Sequence, residues 1–193
     1  AYPGLIPTFE VMLAKDVPNV RYPALASTKY DGVRLVVFVM DGEAIPRTRS
    51  GKRLRVVSLI NEMRAYPDGV YDGELVHGNG KQTARTSITG SVNRILKGSN
   101  TDIEDYKFMV FDYIELDSWE NQTCSVPYLT RLSQCIENIT GGRYTEPCPS
   151  VTVNTGSELD EMYNDHIKRG YEGLILRYPE DMYEWKRTPA LIK

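Results

Sequence analysis

The sequence predicts an α+β fold with mainly antiparallel sheets flanked by helices. Three observations lead there. Short runs rich in β-branched and aromatic residues recur along the chain, such as Leu35-Val36-Val37-Phe38-Val39 and Lys107 to Leu116. Stretches with helical spacing lie among them without a regular βαβ alternation. Turn dipeptides such as Asp31-Gly32, Asp68-Gly69 and Gly141-Gly142 punctuate the whole.

In chain order, residues 5 to 15 read as a short helix with Phe9, Met12 and Leu13 on one face. Ala24-Leu25-Ala26 and Leu35 to Val39 then read as strand, sharp bend, strand: a hairpin around Lys29. Residues 43 to 49 read as a strand ending in the turn Arg49-Ser50-Gly51-Lys52. Ser58 reads as the N-cap of a helix over 59 to 65, which Pro67-Asp68-Gly69 breaks. Residues 70 to 76 form a strand carrying acids, and Gln82 to Leu96 a helix interrupted by Gly90. A buried strand is expected over 107 to 116. Pro127 opens a helix to about Asn138. A short strand spans 151 to 153. Ser157-Glu158-Leu159-Asp160 resembles a capping box for a helix ending at Gly170. Leu174-Ile175-Leu176 is a further strand, and 190 to 193 begins the last.

The 193 residues suffice for one large core. No apolar run approaches the roughly 18 to 20 residues of a membrane helix, so no membrane partner is expected. The opening residues lack the pattern of a signal peptide. Cys124, Cys135 and Cys148 are unclustered and lack zinc spacing, which predicts reduced thiols and an intracellular, cytoplasmic location. His77 and His166 stand alone and read as solvated.

With 26 acidic and 23 basic residues the chain is slightly acidic, against a generic nucleic-acid binder. The distribution says more. Arg47, Arg49, Lys52, Arg53 and Arg55 crowd one stretch, and Lys81, Arg85, Arg94 and Lys97 occupy a segment without acids. Asp102, Glu104, Asp105, Asp112, Glu115, Asp117 and Glu120 follow. The basic half can track phosphates while the acidic part faces elsewhere.

Lys29 is a nucleophile candidate. A lysine amine attacks only when deprotonated, and an ordinary pKa of about 10.4 leaves roughly one in a few thousand neutral at pH 7. Nearby cations, such as Arg34 or a metal, shift that balance. Glu74 and Glu172 are acids beside glycines at strand edges. Arg34 and Arg49 can hold phosphate oxygens, and Phe111 can stack on a base. No glycine-rich Walker loop is present, so a phosphate site here rests on side-chain cations.

Lys29-Tyr30-Asp31-Gly32-Val33-Arg34 resembles motif I, K-x-D-G-x-R, of the covalent nucleotidyltransferases: ATP-dependent DNA ligases, RNA ligases and mRNA capping enzymes. Arg49-Ser50-Gly51-Lys52 resembles the next motif. Asp72-Gly73-Glu74-Leu75-Val76 resembles motif III, and Phe108 to Tyr113 motif IIIa, with Phe111 as the purine-stacking aromatic. Glu172-Gly173-Leu174-Ile175-Leu176-Arg177 resembles motif IV. Trp185-Lys186 through Leu191-Ile192-Lys193 resembles motif V. The order and compact spacing are most similar to adenylation domains of small viral and phage DNA ligases.

The resemblance implies an ATP-grasp-like nucleotidyltransferase domain over residues 1–193, without the OB-fold domain that follows in the family. It implies ATP and Mg²⁺ as cofactors, with Mn²⁺ able to substitute, and nicked duplex DNA as partner of a monomer. Catalysis would rest on Lys29, Asp31 and Arg34. Thr28, Lys29, Arg34, Arg49, Glu74, Phe111, Lys186 and Lys193 would bind nucleotide. Glu172 would hold metal, with Glu74 on the metal or the ribose. Lys81, Arg85, Arg94, Lys97 and Arg177 would meet DNA. Family members end motif V with K-x-K, whereas Lys193 is the last residue here, so either or both of Lys186 and Lys193 can serve the pocket. An RNA ligase, an mRNA guanylyltransferase and a binding domain without turnover remain the alternatives.

Overall fold

The computed structural model describes residues 11–16, 19–81, 84–140 and 142–192. In chain order its elements are β1 (Leu13–Asp16), β2 (Ala24–Thr28), β3 (Val33–Met40), β4 (Glu43–Thr48), α1 (Val57–Met63), β5 (Gly69–His77), α2 (Ala84–Leu96), β6 (Tyr106–Ile114), α3 (Leu116–Asn121), α4 (Tyr128–Asn138), β7 (Thr145–Pro147), β8 (Ser150–Val153), α5 (Gly156–Lys168), β9 (Leu174–Arg177) and β10 (Arg187–Ile192). They build two five-stranded sheets, ordered β1-β10-β9-β2-β8 and β4-β3-β5-β6-β7. Pairing is antiparallel except at β1/β10 and β6/β7. The expected α+β class with mainly antiparallel sheets is what forms.

Lys29 does not sit on a hairpin. β2 pairs with β8 and β9, whereas β3 pairs with β4 and β5. The bend around Asp31-Gly32 therefore carries the chain from one sheet to the other. Gly32 makes that crossing possible, since a Cβ there would lie 2.3 Å from the Leu75 carbonyl oxygen. Asp31 N–H donates to the Gly80 carbonyl at 2.9 Å, tying the crossing to the loop after β5.

The apolar run of β3 is buried on both faces, as a central strand requires. Leu35, Val37 and Val39 pack with Leu54, Leu59, Met63, Ile88, Val92 and Cys135, under α1, α2 and α4. Val36 and Phe38 pack on the other face with Trp119, Tyr183 and Trp185. α5 covers the first sheet through Leu159 against Ala24, Ala26, Leu174 and Leu176. α4 reaches from one sheet to the other, with Tyr128 and Leu132 against Leu25 of β2.

Several local expectations change. Residues 13 to 16 are strand rather than helix; the expected Phe9 contact lies outside the described residues. β1 pairs in parallel with β10, a partner at the far end of the sequence. Ser58 is not a cap: its hydroxyl donates to Asp102 at 2.6 Å and lies 2.6 Å from the Tyr106 hydroxyl. The capping box of α5 begins two residues earlier than expected. Thr155 accepts from Glu158 N–H at 3.1 Å, and the Glu158 carboxylate accepts from Asn154 N–H at 2.7 Å. Among the described residues no helix is long and apolar enough to cross a membrane.

Candidate active site

The site forms where the crossing after β2 meets the entry to β9. β2 and β9 run antiparallel with Thr28 opposite Leu174. The Lys29 N–H extends that ladder, donating to the Gly173 carbonyl at 3.0 Å. The two side chains at this sheet end meet: the Lys29 ammonium donates to the Glu172 carboxylate. Both remain about one-third exposed, at 29% and 33%, so a ligand can reach them.

Arg34 begins the second sheet's contribution. Its Nε and Nη2 grip the Asp72 carboxylate, each at 2.6 Å, and Nη2 also reaches the Met12 carbonyl at 2.7 Å. Tyr183 donates to the same carboxylate at 2.6 Å. Burial alone would lower the Arg34 pKa, but Asp72 outweighs it and the guanidinium is held firmly charged. Glu74 lies directly across from Arg34 in the β3/β5 register. Gly73 sits between the two acids because a Cβ there would lie 2.2 Å from the Met109 carbonyl oxygen.

Phe111 is half-buried on β6. The Arg34 guanidinium lies over its ring at 4.9 Å and that of Arg177 at 4.3 Å. Arg177 was expected to meet DNA. Its Nη1 donates to the Ser27 hydroxyl at 3.3 Å, and its guanidinium also lies 5.6 Å from the Tyr128 ring. Its Nε is buried with no hydrogen-bond partner. The guanidinium thus belongs to the wall around Phe111.

The other expected residues divide. Asp31 is buried at the crossing. The Thr28 hydroxyl is engaged with His166 at 2.9 Å, so its side-chain oxygen is turned to α5. Arg49 is exposed on the turn after β4, which Thr48 N–H closes onto the Lys52 carbonyl at 2.8 Å. Lys81 places its ammonium 5.8 Å over the Tyr171 ring, beside Glu172. Lys186 is exposed and pairs with Glu184 at 3.0 Å. Lys193 lies outside the described residues. Arg85 falls in the first turn of α2, and Lys97 is exposed just beyond its end.

Arg94 lines a cleft of about 850 Å³ with His77, Ser87 and Ser91. Asp102, Glu104 and Asp105 line the same cleft. The acidic segment was expected to face away from the basic one. The return of the chain into β6 instead brings the two together.

Sequence reasoning missed Arg131 and His166. Arg131 on α4 is buried and bonds Asp112 through Nε at 2.7 Å and Nη2 at 3.1 Å. It also donates to the Val126 and Asp181 carbonyls. An arginine at an apolar helical position was the available signal. His166 was expected to be solvated but is 5% exposed. The three thiols are free, as expected of unclustered cysteines. Burial pushes Cys135 well up and Cys148 up to about 11, so both are unreactive.

Among the described residues no cluster of three or more His, Cys, Asp or Glu side chains can hold a metal. The carboxylate beside Lys29 nevertheless suits Mg²⁺, which takes one or two protein carboxylates and fills its remaining positions with water and phosphate oxygens.

Two sheets joined through a crossing that carries a lysine paired with a carboxylate, and an aromatic ring flanked by two arginines, fit a nucleotidyltransferase-type domain. The chain belongs to the ATP dependent DNA ligase domain family, whose profile matches residues 11–193. It is 27% identical to a DNA ligase of Enterobacteria phage T4, over all of this chain and 49% of that protein. The chain thus spans about half the length of the phage relatives it matches. The structure Pmar-Lig_Pre superposes with a TM-score of 0.80 at 22% identity, over 95% of this chain and 46% of that one. The Chlorella virus DNA ligase-adenylate superposes with a TM-score of 0.69 at 21% identity, over 94% of this chain and 65% of that one.

Proposed function

We propose that this chain is the adenylation domain of an ATP-dependent DNA ligase acting on nicked duplex DNA. The observation that carries the reading is the Lys29–Glu172 pair, held at the adjoining ends of β2 and β9. The Chlorella virus relative, named as a ligase-adenylate, carries the product of the first step.

In that step the deprotonated Lys29 amine attacks the α-phosphorus of ATP. An N–P bond forms, the bond to the β-phosphate oxygen breaks, and pyrophosphate leaves. The Lys29 ammonium donates to Glu172, so attack requires that contact to break and a proton to pass from the amine to solvent. Phe111 offers its ring to the adenine, and Arg34 and Arg177 flank it with fixed positive charge. Such preorganised charge does much of the catalysis in phosphoryl transfer. Glu172, with Glu74 as second choice, would hold Mg²⁺, which when bound offsets charge on the phosphate oxygens.

A 5′-phosphate oxygen of the nick then attacks the lysyl-AMP phosphorus, the N–P bond breaks, and AMP passes to the DNA. The 3′-OH attacks the activated 5′-phosphate and AMP leaves. Arg49, Lys81 and Lys97, exposed or half-exposed, are among the cations open to DNA phosphates.

Mass spectrometry of the purified chain after incubation with ATP and Mg²⁺ tests the reading. Addition of one AMP is expected, and Lys29→Ala should abolish it. GTP in place of ATP separates a ligase from a capping enzyme, and DNA against RNA nicks separates the two ligases. Label retained by Lys29→Ala would sink the assignment.

A further inference from the structure

His166 is buried on α5, behind the sheet that carries the site. Its Nδ1 donates to the Met162 carbonyl one turn earlier, at 2.9 Å. A carbonyl can only accept, so this bond places a proton on Nδ1, and in the neutral imidazole Nε2 is then an acceptor. Nε2 therefore accepts from the Thr28 hydroxyl, 2.9 Å away. The imidazole ring also packs on Tyr171, with centroids 5.7 Å apart.

These two contacts fall on particular residues. Thr28 immediately precedes Lys29, and Tyr171 immediately precedes Glu172. One side chain thus touches the residue before the nucleophile and the residue before its carboxylate partner. Tyr171 in turn meets Tyr30, the residue after Lys29, edge-on at 6.1 Å. Lys29 is consequently bracketed on both sides by groups anchored to His166.

We propose that His166 is a positioning residue for the first step of the reaction. It sets the placement of Lys29 against Glu172 through its bond to Thr28 and its packing on Tyr171. The proposal rests on Lys29 being the nucleophile. His166 touches neither ATP nor the reacting atoms. Its effect is geometric, and attack geometry is steep: a displacement of about 1 Å can cost on the order of 10²-fold in rate.

A buried histidine that merely holds α5 in place would behave differently. Its loss would lower stability and leave the rate per folded molecule unchanged. The test compares Thr28→Val, Thr28→Ser, His166→Phe, His166→Gln and the double variant Thr28→Val/His166→Phe. Valine matches the shape of threonine without its hydroxyl, so Thr28→Val carries the test even where His166→Phe folds poorly. Glutamine offers an acceptor near the Nε2 position.

For each variant the readouts are lysyl-AMP formation in a single turnover at saturating ATP, the KM for ATP, and the urea midpoint. Thr28→Val and His166→Phe should each slow formation by about 10- to 100-fold, with KM nearly unchanged. The double variant should be no slower than the worse single one, because both remove the same bond. Thr28→Ser and His166→Gln, which keep a hydroxyl and an acceptor for this bond, should recover most of the rate that Thr28→Val and His166→Phe lose. Unchanged rates per folded molecule, or losses that multiply in the double variant, overturn the proposal. An unmutated chain that takes up no AMP would overturn the functional reading as well, whereas a labelled chain with unaffected variants overturns His166 alone.

Discussion

Asp72 and Asp112 are direct partners across β5 and β6, and both carboxylates are fully buried. Two like charges in that arrangement repel strongly in a low-dielectric interior. Each is neutralised from a different side: Asp72 by Arg34 of β3, Asp112 by Arg131 of α4. Burial pushes the Asp112 carboxyl up and Arg131 opposes that rise. The central polar layer of the second sheet is therefore held by two arginines, of which Arg34 also lies over the Phe111 ring.

Arg131→Met should accordingly destabilise the fold by about 3–5 kcal/mol, the typical loss on orphaning a buried charge. Adding Asp112→Asn should recover much of it, because the orphaned charge is gone. Urea unfolding of both variants checks this; a double variant no better than the single would show that packing of the arginine stem, not charge, is what matters.

Glu172→Gln removes the anion that holds the Lys29 ammonium. ATP binding should persist through Phe111 and the arginines, while Mg²⁺-dependent lysyl-AMP formation falls by 10²-fold or more, on the order expected for losing one preorganised charge contact. Single-turnover labelling across a Mg²⁺ titration measures it. A variant that labels at the normal rate would overturn the metal role proposed for Glu172.

Phe111→Ala should weaken ATP binding by roughly 1–3 kcal/mol, the worth of one stacked base. The ring is only half-buried, so the loss of stability should stay below the roughly 3–5 kcal/mol of a phenylalanine core truncation. ATP titration beside melting curves separates the two, and a large loss of stability with unchanged affinity would make Phe111 a core residue.

Alkaline pH should unfold the chain early. Burial raises Cys148 to about 11 and also raises Tyr30, Tyr71, Tyr106, Tyr128 and Tyr183. Above pH 9 the unfolded thiol loses its proton while the folded one keeps it. The unfolded state then binds fewer protons, so stability is complete below about pH 9 and falls as pH rises through about 11. The Cys148 share is about 2–3 kcal/mol, and Cys148→Ala should flatten the decline by that amount. Melting temperatures between pH 8 and 11 read it; a flat profile would contradict the buried thiol.

Much of this was legible locally. β5, β6, α4 and the apolar run of β3 announce themselves by composition, and among the residues singled out Lys29 meets Glu172 and Arg34 lies over Phe111. What was hidden depends on distant partners. The spacing of Met12 and Leu13 suggests a helix, but β10, paired with β1 across nearly the whole sequence, decides otherwise. Asp31-Gly32 has the chemistry of a hairpin turn, yet it serves a crossing between sheets, because β3 finds β5 rather than β2. His166 and Arg131 carry polar side chains whose burial follows from partners 138 and 19 residues away, which no local period reveals.

The placement of Lys29 and Glu172 at the ends of neighbouring antiparallel strands makes their separation a matter of register, and register changes only in whole residues. Sliding β9 past β2 by one residue moves the carboxylate by about 3.4 Å and turns it to the opposite face. No small adjustment of the backbone ladder lies between. Fine tuning of reach is thus left to side-chain length and to whatever leans on the strand ends. An engineer seeking a different nucleophile should therefore change side chains at these positions and leave the β2/β9 ladder alone.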